Sequence, residues 1–302
     1  MKVSQLSEVA SGAVPRSVAI GTFDGVHLGH REVIRGADTV LTFDPHPLAV
    51  IHPEATPKLI APFPVKRDLI AELGVEELVI IPFDRGFSEQ DPEGFVHDVL
   101  IDGLGARKVS VGENFRFGQG ARGTADLLRS HSDFETRVVP LVEVAGETVS
   151  SSHIRGLVAA GDVKQAADFL GGPFLFEGEV VTGDRRGREL GMPTANLVPD
   201  DAYVCPGHGV YAAWTNGYPT AVNVGVRPTF ETGRGLLVEA HLIGFEGDLY
   251  GQQLRIAFLE RMRGEKRFES VDALVEQMQR DLVEASEIAD RSSDLLLRFP
   301  AR

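Results

Sequence analysis

A glycine-rich run follows a short apolar segment near the start of the chain. Residues 18–20, Val-Ala-Ile, predict a buried strand, and residues 21–31 then read GTFDGVHLGHR. The glycines of this run permit a tight strand-to-helix turn and close approach of a ligand to the backbone. His27 and His30 are spaced so that both project from one side of the first turn of a following helix. The run therefore predicts an α/β unit with a ligand at the carboxyl end of a strand.

The chemistry expected at this turn is phosphate binding. A helix N-terminus offers free N–H groups and the positive end of the helix dipole, which suit a phosphate chain. Two imidazoles aimed at the same place add donors for charge that develops on a phosphoryl group. The alternative is a helix-capping turn with incidental histidines, and the short HxGH pattern alone favours neither interpretation. The preceding strand and the complete Gly-Thr-Phe-Asp-Gly-Val run favour nucleotide chemistry.

Composition limits the classes of partner. A length of 302 residues predicts two domains. A net charge of −14, from 30 basic and 44 acidic residues, argues against non-specific nucleic-acid binding and against anionic membrane surfaces. The single cysteine, Cys205, cannot form an internal disulfide, and we expect a buried or half-buried thiol in a reducing compartment. Since no apolar stretch approaches a membrane span, we expect a soluble, cytoplasmic protein.

The first half of the chain alternates between strand-like and helix-like segments. Helices are predicted around the apolar stripe that ends at Gly74 and around residues 95–100. Buried strands that alternate with helices predict a doubly wound parallel sheet. The predicted strands are residues 18–20, 39–43, 78–81, 108–111 and 136–142.

The second half changes to short strands separated by turn residues, which predicts an antiparallel barrel. Residues 151–171 read as two short helices, with Asp162 capping the second. An amphipathic helix from about Ser270 closes the chain, and we expect its apolar stripe to pack in a core. We predict domains at 1–170 and 173–302. The predicted barrel strands are residues 175–181, 209–215, 220–224, 237–243 and 254–259.

Polar residues within this strand-rich half predict a second site. A stretch rich in glycine and arginine, residues 183–196, could wrap a phosphate chain, and a polar loop between strands is the alternative. Thr194 and Asn196 are two apart on an extended segment, so both point to one side and offer oxygen ligands suited to Mg²⁺. Glu239 would share a strand face with His241, opposite the apolar neighbours. A carboxylate there could accept a proton from a substrate hydroxyl, or simply face solvent.

Three further motifs follow strands of the first half. Residues 118–123 match GxGxxG, but they follow the fourth predicted strand, so we interpret them as a glycine loop near the nucleotide rather than a dinucleotide fingerprint. Residues 150–155, SSSHIR, combine hydroxyls, fresh helix N–H groups and Arg155 into another possible anion site, with simple serine capping as the alternative. Residues 44–47, Asp-Pro-His-Pro, form a rigid loop that is uninformative by itself.

Taken together, these stretches resemble the prokaryotic bifunctional riboflavin kinase / FAD synthetase family over about residues 16–290. The resemblance implies a Rossmann-like nucleotidyltransferase domain followed by a six-stranded kinase barrel. It also implies ATP, riboflavin, FMN and FAD as substrates and products, with Mg²⁺. The motifs that carry it are GTFDGVHLGHR, TFDPHP, VGENFRFG, SSSHIR, GRELGMPTAN, NVGVRPTF, VEAHL, DLYGQ and FLERMRGEKRF.

The resemblance also implies roles for particular residues. His27 and His30 would bind the ATP phosphates during adenylyl transfer, and Glu239 would activate the ribityl 5′-hydroxyl. Thr194 and Asn196 would hold Mg²⁺ and nucleotide phosphates. The complete set of ligand-contacting residues implied by the motifs is Gly21, Phe23, Asp24, Gly25, His27, His30, Asp44, His46, Asn114, Phe117, Gly118, Ser151, Ser152, Arg155, Gly183, Gly187, Gly191, Pro193, Thr194, Asn196 and Arg227.

The sequence departs from the family pattern at three places. Ser152 stands where threonine is usual, Gly172 stands where arginine is frequent, and the segment between Arg31 and Thr39 is short. The last departure leaves room for only about two helical turns. Two other functions stay open on the residues alone, namely an adenylyltransferase for another phosphate substrate and a flavin sensor without turnover.

Overall fold

The computed structural model describes residues 1–9, 14–182, 192–226 and 235–292. Contacts divide the chain into two compact units. Unit 1 comprises Met1–Pro57 and Phe63–Ser150, and unit 2 comprises Lys58–Pro62 and Ser151–Arg302. The helical residues after Ser150 make their contacts within unit 2, and the predicted boundary near residues 170–173 stays a prediction.

Unit 1 is built on a parallel sheet with the order β1-β4-β3-β2-β5-β8. The five strands predicted in this half are present at nearly the predicted positions. The edge strand β1 was not predicted, because only one of its four residues is buried. The strands of unit 1 are β1 (Lys2–Gln5), β2 (Arg16–Ile20), β3 (Thr39–Asp44), β4 (Glu77–Pro82), β5 (Ala106–Gly112), β6 (Arg116–Phe117), β7 (Gly123–Thr124), β8 (Glu135–Val139), β9 (Glu143–Val144) and β10 (Glu147–Thr148).

Helices connect the parallel strands. The segment Phe95–Gly103 buries its predicted apolar face but is π-helical rather than α-helical. Gly103 permits the wide turn, since a Cβ there would lie 2.9 Å from the Asp98 carbonyl oxygen. The helices of unit 1 are α1 (Leu28–Ile34), α2 (Pro47–Ile51), α3 (Phe63–Glu72), α4 (Arg85–Ser88), α5 (Pro92–Gly94), which runs directly into the π-helical segment, and α6 (Ala125–Ser130).

The strand order creates a topological switch point between β2 and β5. The chain leaves β2 toward β3 on one side and leaves β5 toward β8 on the other side. In open α/β sheets, ligands bind in the crevice outside the carboxyl ends of the strands at such a point. The turn that begins at Gly21 follows β2, and Asn114 follows β5, so both flank this crevice.

Unit 2 contains two short helices, a closed antiparallel barrel and a long terminal helix. Asp162 caps the second helix through its side chain, and Gly171 ends it with a φ of 71°, as the sequence predicts. The barrel order is β11-β12-β15-β14-β13-β16. The elements are α7 (Ser151–Ala160), α8 (Val163–Leu170), β11 (Phe174–Val181), β12 (Ala195–Leu197), β13 (Gly209–Thr215), β14 (Tyr218–Val226), β15 (Leu236–Leu242), β16 (Gln253–Arg263) and α9 (Val271–Arg291).

The apolar stripe of α9 differs from its prediction. The helix begins after the Ser270 cap as expected. However, Val271 is 62% exposed, and Leu274, Met278 and Leu282 line an open cleft rather than a closed core. The expectation of ordinary core packing for this stripe was therefore wrong, because this face of the helix covers a cleft beside the barrel.

Candidate active sites

The histidines of unit 1 lie together at the start of α1. His27 is the N-cap of the helix, and its Nδ1 accepts a hydrogen bond from the His30 backbone N–H at 3.2 Å. The two imidazoles stack with 3.5 Å between ring centroids and 14° between planes. Phe23 packs edge-on against His30 at 5.4 Å. Because His27 Nδ1 accepts, the proton of the neutral ring is on Nε2, which is then the donor available to an anion.

An unusual backbone holds this pair in place. Phe23, Gly25 and Val26 have φ angles of 50°, 81° and 44°, in the left-handed region that costs energy for residues other than glycine. Gly29 leaves room for the His27 ring, since a Cβ there would lie 3.2 Å from His27 Cε1. Gly21 likewise lies against the Phe23 ring, where a Cβ would meet ring atoms at 3.0 Å. Two of the predicted turn glycines, Gly21 and Gly29, thus leave space for side chains, whereas Gly25 supplies a left-handed backbone conformation.

Burial keeps both imidazoles neutral. Burial lowers the pKa of His27 to about 4. Burial also holds the pKa of His30 well below its usual value, and the neighbouring charges of His27 and Lys66 lower it further. His30 Nδ1 is buried without a hydrogen-bond partner among the described residues. Each neutral ring still carries one N–H group and can therefore donate one hydrogen bond to a phosphate.

Lys66 is a member of this site that sequence reasoning missed. It lies on α3, and its Nζ donates to the Thr22 carbonyl oxygen at 3.4 Å. Burial lowers the pKa of Lys66, whereas the carboxylates of Asp44 and Asp24 raise it. Asp24 is only 4% exposed and Asp44 is exposed. Two predicted aspartates thus lie near the Lys66 ammonium group, and no local motif around residue 66 predicts this position.

The remaining predicted residues of unit 1 lie on two loops. His46 caps α2, and its Nδ1 accepts from the Leu48 backbone N–H at 3.2 Å. Asn114 is exposed after β5, while Phe117 is buried in the small hairpin of β6 and β7. Gly118 has a φ of 69°. The glycine loop therefore belongs to this hairpin, and its role toward a nucleotide stays a prediction.

The predicted anion site at the start of α7 falls in unit 2. Ser151 and Ser152 form the first turn of the helix, with Ser152 exposed. Arg155 Nη1 donates to Ser152 Oγ at 3.3 Å. The structure thus joins the arginine to one of the predicted hydroxyls, and a phosphate-binding role for these residues stays a prediction.

A row of polar side chains crosses three barrel strands. Asn196 on β12 is paired in register with Glu239 on β15, and Glu239 is paired with Asn223 on β14. Asn223 Nδ2 donates to Glu239 Oε2 at 3.1 Å. Val238 and Ala240 are buried on the opposite face of β15, as the alternation predicted. The structure therefore brings the predicted glutamate and asparagine together, and it adds Asn223, which sequence reasoning did not single out.

An open cleft of about 670 Å³ runs beside this row. Its polar wall includes Thr194, Asn223, Glu239 and His241, and its apolar wall includes the α9 side chains described above. His241 Nδ1 donates to the Pro193 carbonyl oxygen at 2.7 Å, which holds the approach to Thr194 against β15. A cleft with one polar and one apolar wall can bind a small molecule through its apolar wall and orient it through its polar side chains.

An ion pair between half-buried Arg263 and buried Asp281 joins the barrel to the terminal helix at the wall of the cleft. Arg263 on β16 contacts Asp281 on α9 through Nη2 at 2.7 Å and Nε at 3.1 Å. Gln277 Nε2 also donates to Asp281 Oδ1 at 2.9 Å. These contacts fix α9 against the barrel and so hold the apolar wall in position.

Some predicted site residues lie outside the described part of the chain. These are Gly183, Gly187, Gly191 and Arg227.

Cys205 is half-buried as expected, and burial raises its pKa to about 12, so the thiol stays protonated. Burial therefore disfavours a reactive thiolate at this position.

Comparisons with known proteins agree with this two-site arrangement. A riboflavin kinase family model matches residues 170–289, and an FAD synthetase family model matches residues 11–153. The bifunctional riboflavin kinase/FMN adenylyltransferase of Bacillus subtilis is 36% identical over 288 residues, covering 89% of this chain and 90% of that protein. The protein of the same description from Escherichia coli K12 is 34% identical over 288 residues, covering 89% and 91%.

A solved structure shares the whole architecture. A crystal structure described as a macrolide-efflux protein from Streptococcus pneumoniae superposes with a TM-score of 0.83 at 30% identity, covering 95% of this chain and 99% of that chain. In the part of the chain that the structure describes, no helix has the length and apolarity needed to cross a membrane.

Proposed function

The chain belongs to the family of bifunctional riboflavin kinases/FMN adenylyltransferases, and on that premise we propose which of its residues carry each reaction. The C-terminal riboflavin kinase part phosphorylates riboflavin with ATP to give FMN and ADP. The N-terminal FAD synthetase part transfers an adenylyl group from ATP to FMN and gives FAD and pyrophosphate. The observation that carries the proposal is that each unit holds its own cluster of polar side chains suited to phosphate chemistry.

Glu239 is the general base of the kinase reaction. Its carboxylate takes the proton of the ribityl 5′-hydroxyl while the hydroxyl oxygen attacks the γ-phosphorus of ATP and ADP leaves. The Asn223 amide holds Glu239 Oε2 at 3.1 Å and so fixes the direction of the carboxylate. The position of Glu239 on the wall of the cleft supports this role. General base catalysis of this kind contributes about 10²–10⁴-fold in rate.

Thr194 and Asn196 are the residues that would hold Mg²⁺. Asn196 is 6% exposed, and its Nδ2 donates to the Thr194 carbonyl oxygen at 3.4 Å, so Oδ1 is the end of the amide that can coordinate a cation. A hydroxyl and an amide oxygen beside a carboxylate fit a hard cation. When bound, Mg²⁺ neutralises charge on the nucleotide phosphates.

His27 and His30 bind the ATP phosphates in the adenylyl transfer. The FMN phosphate oxygen attacks the α-phosphorus, and pyrophosphate leaves without a covalent enzyme intermediate. The neutral rings donate hydrogen bonds, and Lys66 supplies the positive charge that neutral histidines lack. Catalysis then rests on positioning and charge stabilisation rather than on proton transfer by the protein.

The test separates the two reactions in one protein. Glu239→Gln keeps the size and shape of the side chain but removes the base. Riboflavin phosphorylation should therefore fall by about 10²-fold or more, while FMN adenylylation stays nearly intact. His30→Ala should do the reverse. Purified protein is incubated with ATP and Mg²⁺ and either riboflavin or FMN, and FMN and FAD are resolved by chromatography.

Matched controls use residues of the same type outside both sites. Glu179 is an exposed glutamate on barrel strand β11, and His52 is an exposed histidine of unit 1. Glu179→Gln and His52→Ala should retain both rates. If Glu239→Gln or His30→Ala removed both activities from a folded protein, the assignment of separate residues to separate reactions would be wrong.

We also propose that both reactions take place in the cytoplasm on small-molecule substrates alone. The single cysteine, which cannot form an internal disulfide, supports a reducing compartment, and the net charge of −14 supports the exclusion of nucleic acid.

A further inference from the structure

Three potential metal ligands meet in unit 1, outside the residues assigned above. Glu93 lies on α5, His97 lies on the π-helical segment that continues it, and His131 follows α6. One ligand atom from each residue lies within 4.8 Å of those of the other two. Glu93 and His97 are exposed, and His131 is half-buried, so an ion in solution can reach the cluster.

The geometry is close to that of a metal site. Glu93 and His97 are four residues apart on one continuous helical segment, which brings their side chains to the same side. His131 Nε2 lies 3.0 Å from Glu93 Oε2. The His97 and His131 rings meet edge to face with 5.7 Å between centroids. Tetrahedral ligands about 2.0–2.2 Å from zinc are roughly 3.3 Å from one another. The three ligand atoms lie within 4.8 Å of one another, so they must approach by about 1.5 Å at most.

We propose that Glu93, His97 and His131 form a binding site for a divalent transition-metal ion of the Zn²⁺ class. Two imidazoles and one carboxylate suit zinc and its neighbours, whereas Mg²⁺ and Ca²⁺ prefer oxygen ligands alone. Three protein ligands leave at least one position for water. The site is distinct from the proposed Mg²⁺ ligands of unit 2.

An ion pair between His131 and Glu93 is the simpler explanation of the cluster. Such a pair would account for the 3.0 Å contact between these two side chains. It would not require the second imidazole, on the adjacent helical segment, to lie within 4.8 Å of both. Removal of His97 therefore separates the two explanations, because His97 contributes to the metal site and not to the pair.

The location suggests what a bound ion would stabilise. Pro92, next to Glu93, packs so closely on Gly118 that a Cβ there would lie 2.7 Å from the proline ring. The Gln119 backbone N–H donates to the Gln90 carbonyl oxygen at 2.8 Å. The segment that carries Glu93 thus supports the glycine loop from one side. Helix α6, which His131 follows, begins where the hairpin of that loop ends, so an ion would tie together both flanks of the loop.

The experiment uses the full chain without a histidine tag, after dialysis against a chelator. Zn²⁺ is titrated by calorimetry, and Co²⁺ is titrated by visible absorption, into the wild type and into His97→Ala, His131→Ala and His52→Ala. His52 is the matched control, because it also contacts a glutamate, Glu54, at 3.5 Å but does not belong to the cluster of Glu93, His97 and His131. Thermal midpoints are measured with and without Zn²⁺.

We expect one binding event that His97→Ala and His131→Ala each weaken by at least about tenfold, equivalent to about 1.4 kcal/mol. His52→Ala should bind as the wild type does. Zn²⁺ should raise the thermal midpoint of the wild type and of His52→Ala, and should raise it less in the other two variants. Wild-type affinity in His97→Ala would overturn the proposal and leave a simple ion pair.

Discussion

Acidification should destabilise unit 1 through the buried imidazole of His27. This side chain is 6% exposed, and burial lowers its pKa from 6.5 to about 4. Between these two values the unfolded chain binds a proton at His27 and the folded chain does not. Stability is therefore fully present above pH 6.5 and is lost as the pH falls toward 4.

The size of the effect follows from the pKa difference. The unfolded and folded pKa values differ by about 2.5, and at about 1.36 kcal/mol per pKa unit this difference corresponds to roughly 3.4 kcal/mol once the pH is below 4. At pH 5 the unfolded imidazole is almost fully protonated while the folded one is still mostly neutral, and linkage gives a loss of about 2 kcal/mol. His30 shifts in the same direction, so the total loss in the wild type should be larger.

Urea unfolding at pH 7.5 and pH 5 measures this loss in the wild type and in His27→Gln, which cannot titrate. Circular dichroism reports both units, whereas fluorescence of the single tryptophan, Trp214 on β13, reports unit 2 alone. The wild type should lose about 2 kcal/mol more than His27→Gln in the transition of unit 1, and the fluorescence transitions should respond equally. Equal losses in both proteins by circular dichroism would refute the argument that burial keeps His27 neutral.

Two further substitutions, one in each unit and each with a matched control, test packing around the proposed sites. Gly29→Ala should stabilise the helix by roughly 1 kcal/mol through its higher helix propensity. However, the new Cβ would lie 3.2 Å from the His27 ring and displace it. FAD formation should therefore fall by about tenfold or more, with riboflavin phosphorylation unchanged. Gly156→Ala, where a Cβ meets open space on α7, should change neither rate. Asp281→Asn should cost about 3 kcal/mol in the Trp214 unfolding transition, because Arg263 loses its partner. Glu284→Gln, an exposed change on the same helix, should cost less than about 0.5 kcal/mol.

The sequence predicts elements where their pattern is local and strongly apolar. All five parallel strands predicted for unit 1 were found, because each contains a run rich in apolar or β-branched residues, whereas β1 buries one residue in four and has no apolar run. Strand β12 has three residues and was expected only as an extended segment. The stripe on α9 was read correctly as helical but wrongly as core, because periodicity reveals a face and not what covers it.

Site residues were predictable when they fall in one contiguous motif. His27 and His30 are spaced three apart, so the helix alone brings them together. Lys66 reaches the same site from α3, and its sequence context is that of an ordinary helix surface. No spacing rule links residues 30 and 66, since their proximity depends on how the parallel sheet is wound. For the same reason, no spacing rule predicts that His131 lies beside Glu93 and His97.

The barrel site depends on register rather than on any one motif. Asn196, Glu239 and Asn223 come from three strands, and they form a row only because β12, β15 and β14 pair as they do. A slip of one residue in β15 would turn Glu239 into the interior and bring Val238 to the cleft. The buried neighbours Val238 and Ala240 oppose that slip, since it would expose both to water. The apolar residues beside Glu239 therefore fix the direction of its carboxylate, and the alternation that singled out this glutamate in the sequence also holds it in place.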